Sequence, residues 1–273
     1  MNKLFVQNLC LIATERCNLN CDHCMRGNCS NKVMDDKVIE ATLSQFYHIQ
    51  NLSICGGEIT MALDTLEKIF SYVIDNNIIV EMVTMVINGT IYSDEFLKML
   101  DYMSSYISNK RMKELSANFV ISKDMYHFRE IERLGKVRDY FENVEKYKFS
   151  KHFNGFQELH GQLFREGNAE KLDLSLTVPM VPMTPQITYI GKFNKFDMEN
   201  GICNIGPLVC VNVDGVITEC DASIMHQNTI YNYGNVLSDS IEEVTLKRGN
   251  IVSKPRQWFR ATMYEVDKYQ RWY

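Results

Sequence analysis

Positive charge is scarce in this chain: 29 Lys and Arg stand against 34 Asp and Glu, a formal net charge of -5 with a pI of about 5.7. A phosphate backbone attracts its partners through a basic field, so nucleic acid is disfavoured. Long apolar runs are missing too, and nothing approaches the roughly 20 residues of a bilayer-spanning helix. The opening Met1-Asn2-Lys3-Leu4-Phe5-Val6 is too short and too polar for a secretory signal. These absences predict a cytoplasmic protein without membrane contact, whose thiols stay reduced. There is no internal repeat or low-complexity tract, and 273 residues suffice for one large domain, with room for a small second module.

Cysteine, by contrast, is plentiful and clustered. Cys17, Cys21 and Cys24 lie in Glu15-Arg16-Cys17-Asn18-Leu19-Asn20-Cys21-Asp22-His23-Cys24, directly after an apolar strand-like run. With nine Cys in 273 residues, this C-x3-C-x2-C spacing arises by accident in roughly one such chain in a hundred. Three thiolates suit a metal centre. A cubane 4Fe-4S cluster held by three Cys keeps one iron without a protein ligand, open to another molecule. A zinc knuckle completed by His23 or a distant residue is the alternative, although zinc sites more often pair two C-x2-C units. Disulfides are disfavoured by the odd count and the ligand-like spacing.

Around the cysteines, apolar residues recur in alternating strand and helix patterns. Leu4 to Ala13 reads as a buried strand, and Asp35 as the cap of a helix carrying Ile39, Leu43, Phe46 and Tyr47. Leu52 to Cys55 is a short strand, Leu66, Ile69, Phe70 and Val73 form a helical stripe, and Ile78 to Ile87 is a β-branched strand. Ser93 caps a helix burying Phe96, Leu97 and Leu100, while Met112 to Ile121 and Leu172 to Val178 supply later strands. Such alternation predicts an α/β fold with a parallel sheet covered by helices, its ligands at the carboxyl ends of the strands. Three prolines between Pro179 and Pro185 mark a boundary. The expected domains are 1–185 and 186–273.

The cysteine loop resembles the signature of the radical S-adenosylmethionine (SAM) superfamily. Ile54-Cys55-Gly56-Gly57-Glu58 is similar to that family's Gly-Gly-Glu motif, Val86-Ile87-Asn88-Gly89-Thr90 to its Asn-Gly turn, and Ser116 to Asp124 falls at its fourth strand. The resemblance implies a partial (β/α)6 barrel of the radical SAM type, a 4Fe-4S cluster on Cys17, Cys21 and Cys24, and SAM held by Gly56, Gly57 and Glu58. His23 is expected to pack beside the adenine, with Asn88, Ser122 and Asp124 as further SAM contacts. Helix capping by Asp124 explains that residue equally well.

After the prolines, Cys203, Cys210 and Cys220 surround Asp214-Gly215, a hairpin signal between Val-rich flanks. Cys203, Gly215 and Cys220, followed by Gly234-Asn235-Val236 and Ile241-Glu242-Glu243, resemble the start of a SPASM or Twitch extension, which implies a small C-terminal β-hairpin and helix and an auxiliary iron–sulfur cluster. No cysteine follows Cys220, where the full extension has several. Cys210 is then a replacement ligand, with Asp221, His226 or substrate as a fourth, or else the hairpin is a cap without metal and its Cys are small core hydrophobes.

Cys29 and Cys55 lie near the expected site, and a thiol can give a hydrogen atom to a carbon radical; burial is the plainer role. His152 and His160 have no partner at a telling spacing, and the aromatic tail with Trp258, Phe259, Trp272 and Tyr273 is expected to dock on the barrel. The family implies reductive SAM cleavage, an electron donor such as flavodoxin or ferredoxin, and hydrogen abstraction from a substrate. The extension favours a peptide or protein side chain, although the first strand begins too early for a separate N-terminal recognition domain. A small metabolite (amino acid, sugar or nucleoside) is the alternative, as is a non-catalytic zinc or iron–sulfur protein.

Overall fold

The computed structural model describes residues 3–109, 116–158, 163–164, 167–178, 186–190, 202–206, 208–218 and 232–247. Cys220, Asp221, His226, His160, the 179–185 boundary and the aromatic tail lie outside them. Strand β1 (Lys3–Thr14) is followed by α1 (Asp36–Leu43), β2 (Phe46–Gly56), α2 (Leu63–Asp75), β3 (Ile79–Ile87), α3 (Asp94–Asn109), β4 (Ala117–Ser122), α4 (Met125–Arg133), α5 (Val137–Lys148) and β5 (Phe153–Gln157). The five strands are parallel neighbours in chain order, β1-β2-β3-β4-β5. Leu163–Phe164 (β6) and Thr177–Val178 (β7) form a separate small parallel pair. The open parallel sheet with its helices is the α/β architecture expected, and among the described residues it does not close into a full barrel.

Side-chain caps start α1, α3 and α4. Asp35 accepts a hydrogen bond from the Val38 amide (2.9 Å), Ser93 from the Phe96 amide (3.1 Å), and Asp124 from the Tyr126 and His127 amides. One face of the sheet meets these helices and buries Leu9, Leu11, Leu52, Ile54, Val83, Met85, Phe119 and Ile121 to 2% exposure or less. The other face stays half-exposed at alternate positions along β3 and β4. That one-sided pattern departs from the double burial usual in parallel sheets.

The later strands return to the same sheet. β8 (Gln186–Ile190) pairs antiparallel with β9 (Ile202–Gly206), which lies parallel to the first residues of β1. β10 (Val209–Val211) joins the last half of β1, also in parallel, and turns back into β11 (Val216–Thr218) through Asp214-Gly215, with Gly215 at φ +82°. β12 (Asn232–Asn235) and α6 (Ile241–Lys247) complete the expected hairpin-and-helix addition.

Two local expectations are corrected. Phe46 and Tyr47 do not continue α1; they open β2, where Phe46 pairs with Leu4, because strand pairing outweighs the helical spacing. The run from Leu172 is mostly 3-10 turn, capped by Asp173 accepting from the Ser175 amide, and only Thr177–Val178 is strand. In the core, Phe119 packs against Phe96, Tyr147 and Phe153 with ring centroids 5.1–5.9 Å apart. Phe119→Ala is expected to cost about 3–5 kcal/mol in urea unfolding; a loss below about 1 kcal/mol would place the core elsewhere.

Candidate active site

The chain leaving β1 at Thr14 loops over the carboxyl ends of the neighbouring strands, and this loop carries Cys17, Cys21 and Cys24. Polar side chains from distant segments fasten it. Asn88 Nδ2 donates to Asn18 Oδ1 (2.8 Å), Asn18 Nδ2 donates to Thr90 Oγ1 (2.8 Å), and the Asn20 amide donates to Glu130 Oε1 (3.0 Å). Asn168 donates through Nδ2 to the Cys21 carbonyl and through its amide to the Cys24 carbonyl.

All three thiols are free, Cys21 buried and the other two half-buried. Among the described residues, no three His, Cys, Asp or Glu side chains already converge on an ion-sized point. The chemistry of the donor set nevertheless fits a thiophilic centre. The Leu19 amide lies 3.4 Å from Cys17 Sγ and the Arg26 backbone lowers the Cys24 thiol, contacts that favour thiolate, while the Gly27 amide donates to the Cys24 carbonyl (3.1 Å). Burial pushes the Cys21 thiol up to about 12 and raises Cys24 as well; at Cys17 a hydrogen bond shared with Cys29, then burial, act the same way. A cation is what makes three such thiolates affordable together.

Gly56 and Gly57 face this loop at very short range. The Gly57 amide donates to the Thr14 carbonyl (2.8 Å) and the Glu58 amide to the Arg16 carbonyl (2.6 Å). A Cβ at Gly57 would lie 2.2 Å from the Arg16 oxygen and 2.9 Å from Cys17 Cβ; one at Gly56 would lie 2.6 Å from the Thr14 oxygen. Close approach of protein backbone therefore demands a residue without Cβ at both positions. Glu58 is 1% exposed and accepts from the Thr60 amide (3.1 Å), the Thr60 hydroxyl (2.6 Å) and the Asn88 amide (2.6 Å). Burial raises its pKa, and these three donors oppose that rise. Its carboxylate thus ties the end of β2 to the end of β3.

Asn88 is the hub between them. Besides Glu58 and Asn18, its Oδ1 accepts from Thr90, its Nδ2 lies 3.8 Å from Cys17 Sγ, and its carbonyl accepts from His127 Nε2 at 2.9 Å. A carbonyl only accepts, so His127 carries its proton on Nε2 and turns Nδ1 toward Cys21 Sγ, 3.8 Å away. Asp124 caps α4 through Oδ1 and reaches His23 Nε2 through Oδ2 (3.3 Å). Burial works against the Asp124 charge, yet the bonds from His23 and the His127 amide hold its carboxyl below the usual range. His23 stacks on Tyr126 at 5.1 Å, and its buried Nδ1 has no hydrogen-bond partner among the described residues. Ser122 stands half-exposed at the end of β4.

The remaining cysteines divide differently from expectation. Cys29 is exposed and donates to the Leu19 carbonyl (3.1 Å), beside Cys17, so it belongs to the loop. Cys55 lies half-exposed on the open sheet face, 3.9 Å from Cys10, with buried Cys210 against Cys10. Cys203 and Cys210 do not meet: they pair with Leu4 and Cys10 of β1, a separation of about 20 Å at the rise of a strand. Asn18, Glu130 and Asn168 were missed by sequence reasoning; only Asn18, inside the cysteine loop, carried a positional signal.

The family model described as the Radical SAM superfamily matches residues 11–148, just over half of the chain. This chain belongs to the radical SAM superfamily. Membership of that superfamily implies a 4Fe-4S cluster and SAM. A curated relative, the uncharacterized protein MJ0907 of Methanocaldococcus jannaschii, is 35% identical over 74 residues, 26% of this chain and 26% of that protein. The chain thus matches about a quarter of the length of that relative. Among solved structures, native anSMEcpe with bound AdoMet is 16% identical, with 88% of this chain and 80% of that one covered and a TM-score of 0.46. Streptococcus suis SuiB bound to precursor peptide SuiA is 13% identical, with 88% and 64% covered and a TM-score of 0.42. No helix among the described residues is long and apolar enough to cross a membrane.

Gly57→Ala is expected to push the Arg16–Cys17 backbone aside. Anaerobically reconstituted variant should lose most of its iron by colorimetric assay, and wild-type iron content would show that the close contact is dispensable.

Proposed function

We infer that this radical SAM enzyme holds its cluster on Cys17, Cys21 and Cys24, seats SAM against the Gly56-Gly57-Glu58 turn, and acts on a peptide or protein side chain. The observation that carries the reading is the junction of the cysteine loop with the ends of β2 and β3, where Gly57 and Asn88 both touch Cys17. When bound, the cluster supplies the electron that cleaves SAM to a 5′-deoxyadenosyl radical. The chain's own residues position and enclose. Glu58 and Asn88 fix the rim, His127 and Asp124 brace the loop from α4, and His23, stacked on Tyr126 with a free buried nitrogen, offers a flat polar surface for the adenine. Cys55, on the open face next to the turn, is placed to give a hydrogen atom to a substrate radical; Cys29, tied beside Cys17, is the less suited thiol.

Support for a peptide substrate comes from the Asp214-Gly215 hairpin with β12 and α6, the pattern that resembles a SPASM or Twitch start. Residues 186–273 form that extension in this reading, and 1–185 the catalytic part. Lys32, on the cysteine loop, pairs with Asp214 of the hairpin at 2.6 Å. The electron donor is a flavodoxin or ferredoxin type of protein.

Given dithionite and SAM, the brown, anaerobically reconstituted protein is expected to release 5′-deoxyadenosine; a colourless zinc protein without turnover would overturn the reading. Cys21→Ala should abolish cluster assembly and Cys210→Ala should leave it intact. Wild-type iron is expected at about four per chain, the content of one cubane. About eight would instead require the auxiliary cluster that the spacing of Cys203 and Cys210 disfavours.

A further inference from the structure

Two sulfurs of the cysteine loop meet at one residue, Leu19. Cys29 Sγ donates to the Leu19 carbonyl (3.1 Å), the Leu19 amide donates to Cys17 Sγ (3.4 Å), and the two thiols share a hydrogen bond with each other. Backbone pairing brings them together. Val33 forms an antiparallel bridge with Thr14, the Glu15 amide donates to the Lys32 carbonyl (2.9 Å), and the Ser30 amide donates to the Glu15 carbonyl (3.1 Å). Side chains hold the same course, with Ser30 Oγ donating to Glu15 Oε2 (2.6 Å) and Arg16 Nε to the Asn31 carbonyl (3.2 Å). Residues 30–33 thus run back along 14–16 and deliver Cys29 to Cys17.

The pair is placed for a bond between them. Cys29 is the only exposed cysteine among those described, whereas Cys21 is buried and turns its sulfur to His127 Nδ1, 3.8 Å away. Cys17 and Cys29 both lie outside helices and strands. Sulfurs already in contact can therefore reach bonding geometry, about 2.05 Å apart with Cα atoms within about 7 Å, without breaking a regular element. Cys17 is also where Gly57 and Asn88 touch the loop. Whatever takes its sulfur acts on the junction of the site.

We propose that Cys29 is an oxidation site that captures Cys17: hydrogen peroxide converts the two thiols into a Cys17–Cys29 disulfide, which withholds one ligand from the cluster until a dithiol reduces it. The proposal rests on Cys17 being a cluster ligand and adds a control over its loading. In the first step the exposed Cys29 sulfur attacks the peroxide, the O–O bond breaks, and a sulfenic acid and one water form. In the second the Cys17 sulfur attacks Cys29, the S–S bond forms as the S–O bond breaks, and the hydroxyl leaves with the Cys17 proton as a second water. Two thiols lose two electrons, and one peroxide gains them. Because a metal centre needs the same thiolate, the disulfide and the cluster exclude each other.

The reduced full chain, before iron is supplied, is given an equimolar amount of hydrogen peroxide, its remaining thiols are alkylated in one portion, and disulfides are mapped there by peptide mass spectrometry without reduction. A Cys17–Cys29 link is expected as the main product. Cys17 linked chiefly to Cys21 or Cys24, or Cys29 recovered mainly as the alkylated thiol, would overturn the proposal. The rest of the oxidised sample is divided, one half is reduced with dithiothreitol and desalted, and both halves are offered ferrous iron and sulfide without a thiol. The oxidised half is expected to lose most of its iron uptake and the reduced half to regain it, while Cys29→Ser keeps its uptake after the same peroxide dose. Equal loss in Cys29→Ser would refute a role for Cys29. A missing link with normal uptake removes the oxidation site alone. Failed uptake by the reduced half, or normal uptake by a chain whose link persists through the assay, removes the cluster reading beneath it.

Discussion

Gly57 and the Arg16–Cys17 backbone approach so closely that no side chain fits between them. Everything at the top of the sheet is arranged around that contact. It sets the height of the cysteine loop above β2, and Glu58, the next residue, carries the restraint to β3 through the Asn88 amide. Asn88 then returns to the loop through Asn18 and Cys17 and outward to α4 through His127. Three strand ends and one helix are thus joined by short polar bonds in a largely buried setting, where each bond is costly to leave unmade.

Much of this was legible in the chain. The strand–helix alternation from Leu4 to Ile121 and the caps at Asp35, Ser93 and Asp124 are local signals, and they correspond to observed elements. The three-cysteine spacing and the Gly-Gly-Glu run pointed to the end of the sheet at which they meet. What could not be read was what each group touches. Gly56 and Gly57 meet the Thr14–Cys17 segment, and the Glu58 carboxylate is held by Thr60 and Asn88. Asn168, from a segment with no motif, fastens the loop from 147 residues away, a contact that only the fold creates.

Return of the C-terminal strands to β1 was equally invisible, since pairing between residues about 200 apart leaves no trace in periodicity. It has a chemical result. β10 brings Cys210 into register with Cys10, while β9 carries Cys203 to the opposite end of the same strand. Cysteines close in sequence are separated, and Cys10 and Cys210, far apart in the chain, are buried together with Cys55 packed against them. One sheet therefore has a helix-covered side that provides stability and an opposite side, beneath the cysteine loop, that is half-exposed along β3 and β4.

Electron paramagnetic resonance of the reduced, reconstituted protein bears most directly on whether Cys17, Cys21 and Cys24 hold a cluster with one iron open to SAM. Addition of SAM is expected to change the cluster signal, and Gly57→Ala to weaken or abolish that response. A signal unaltered by saturating SAM would mean that every iron is already ligated by protein, and would contradict the site described above.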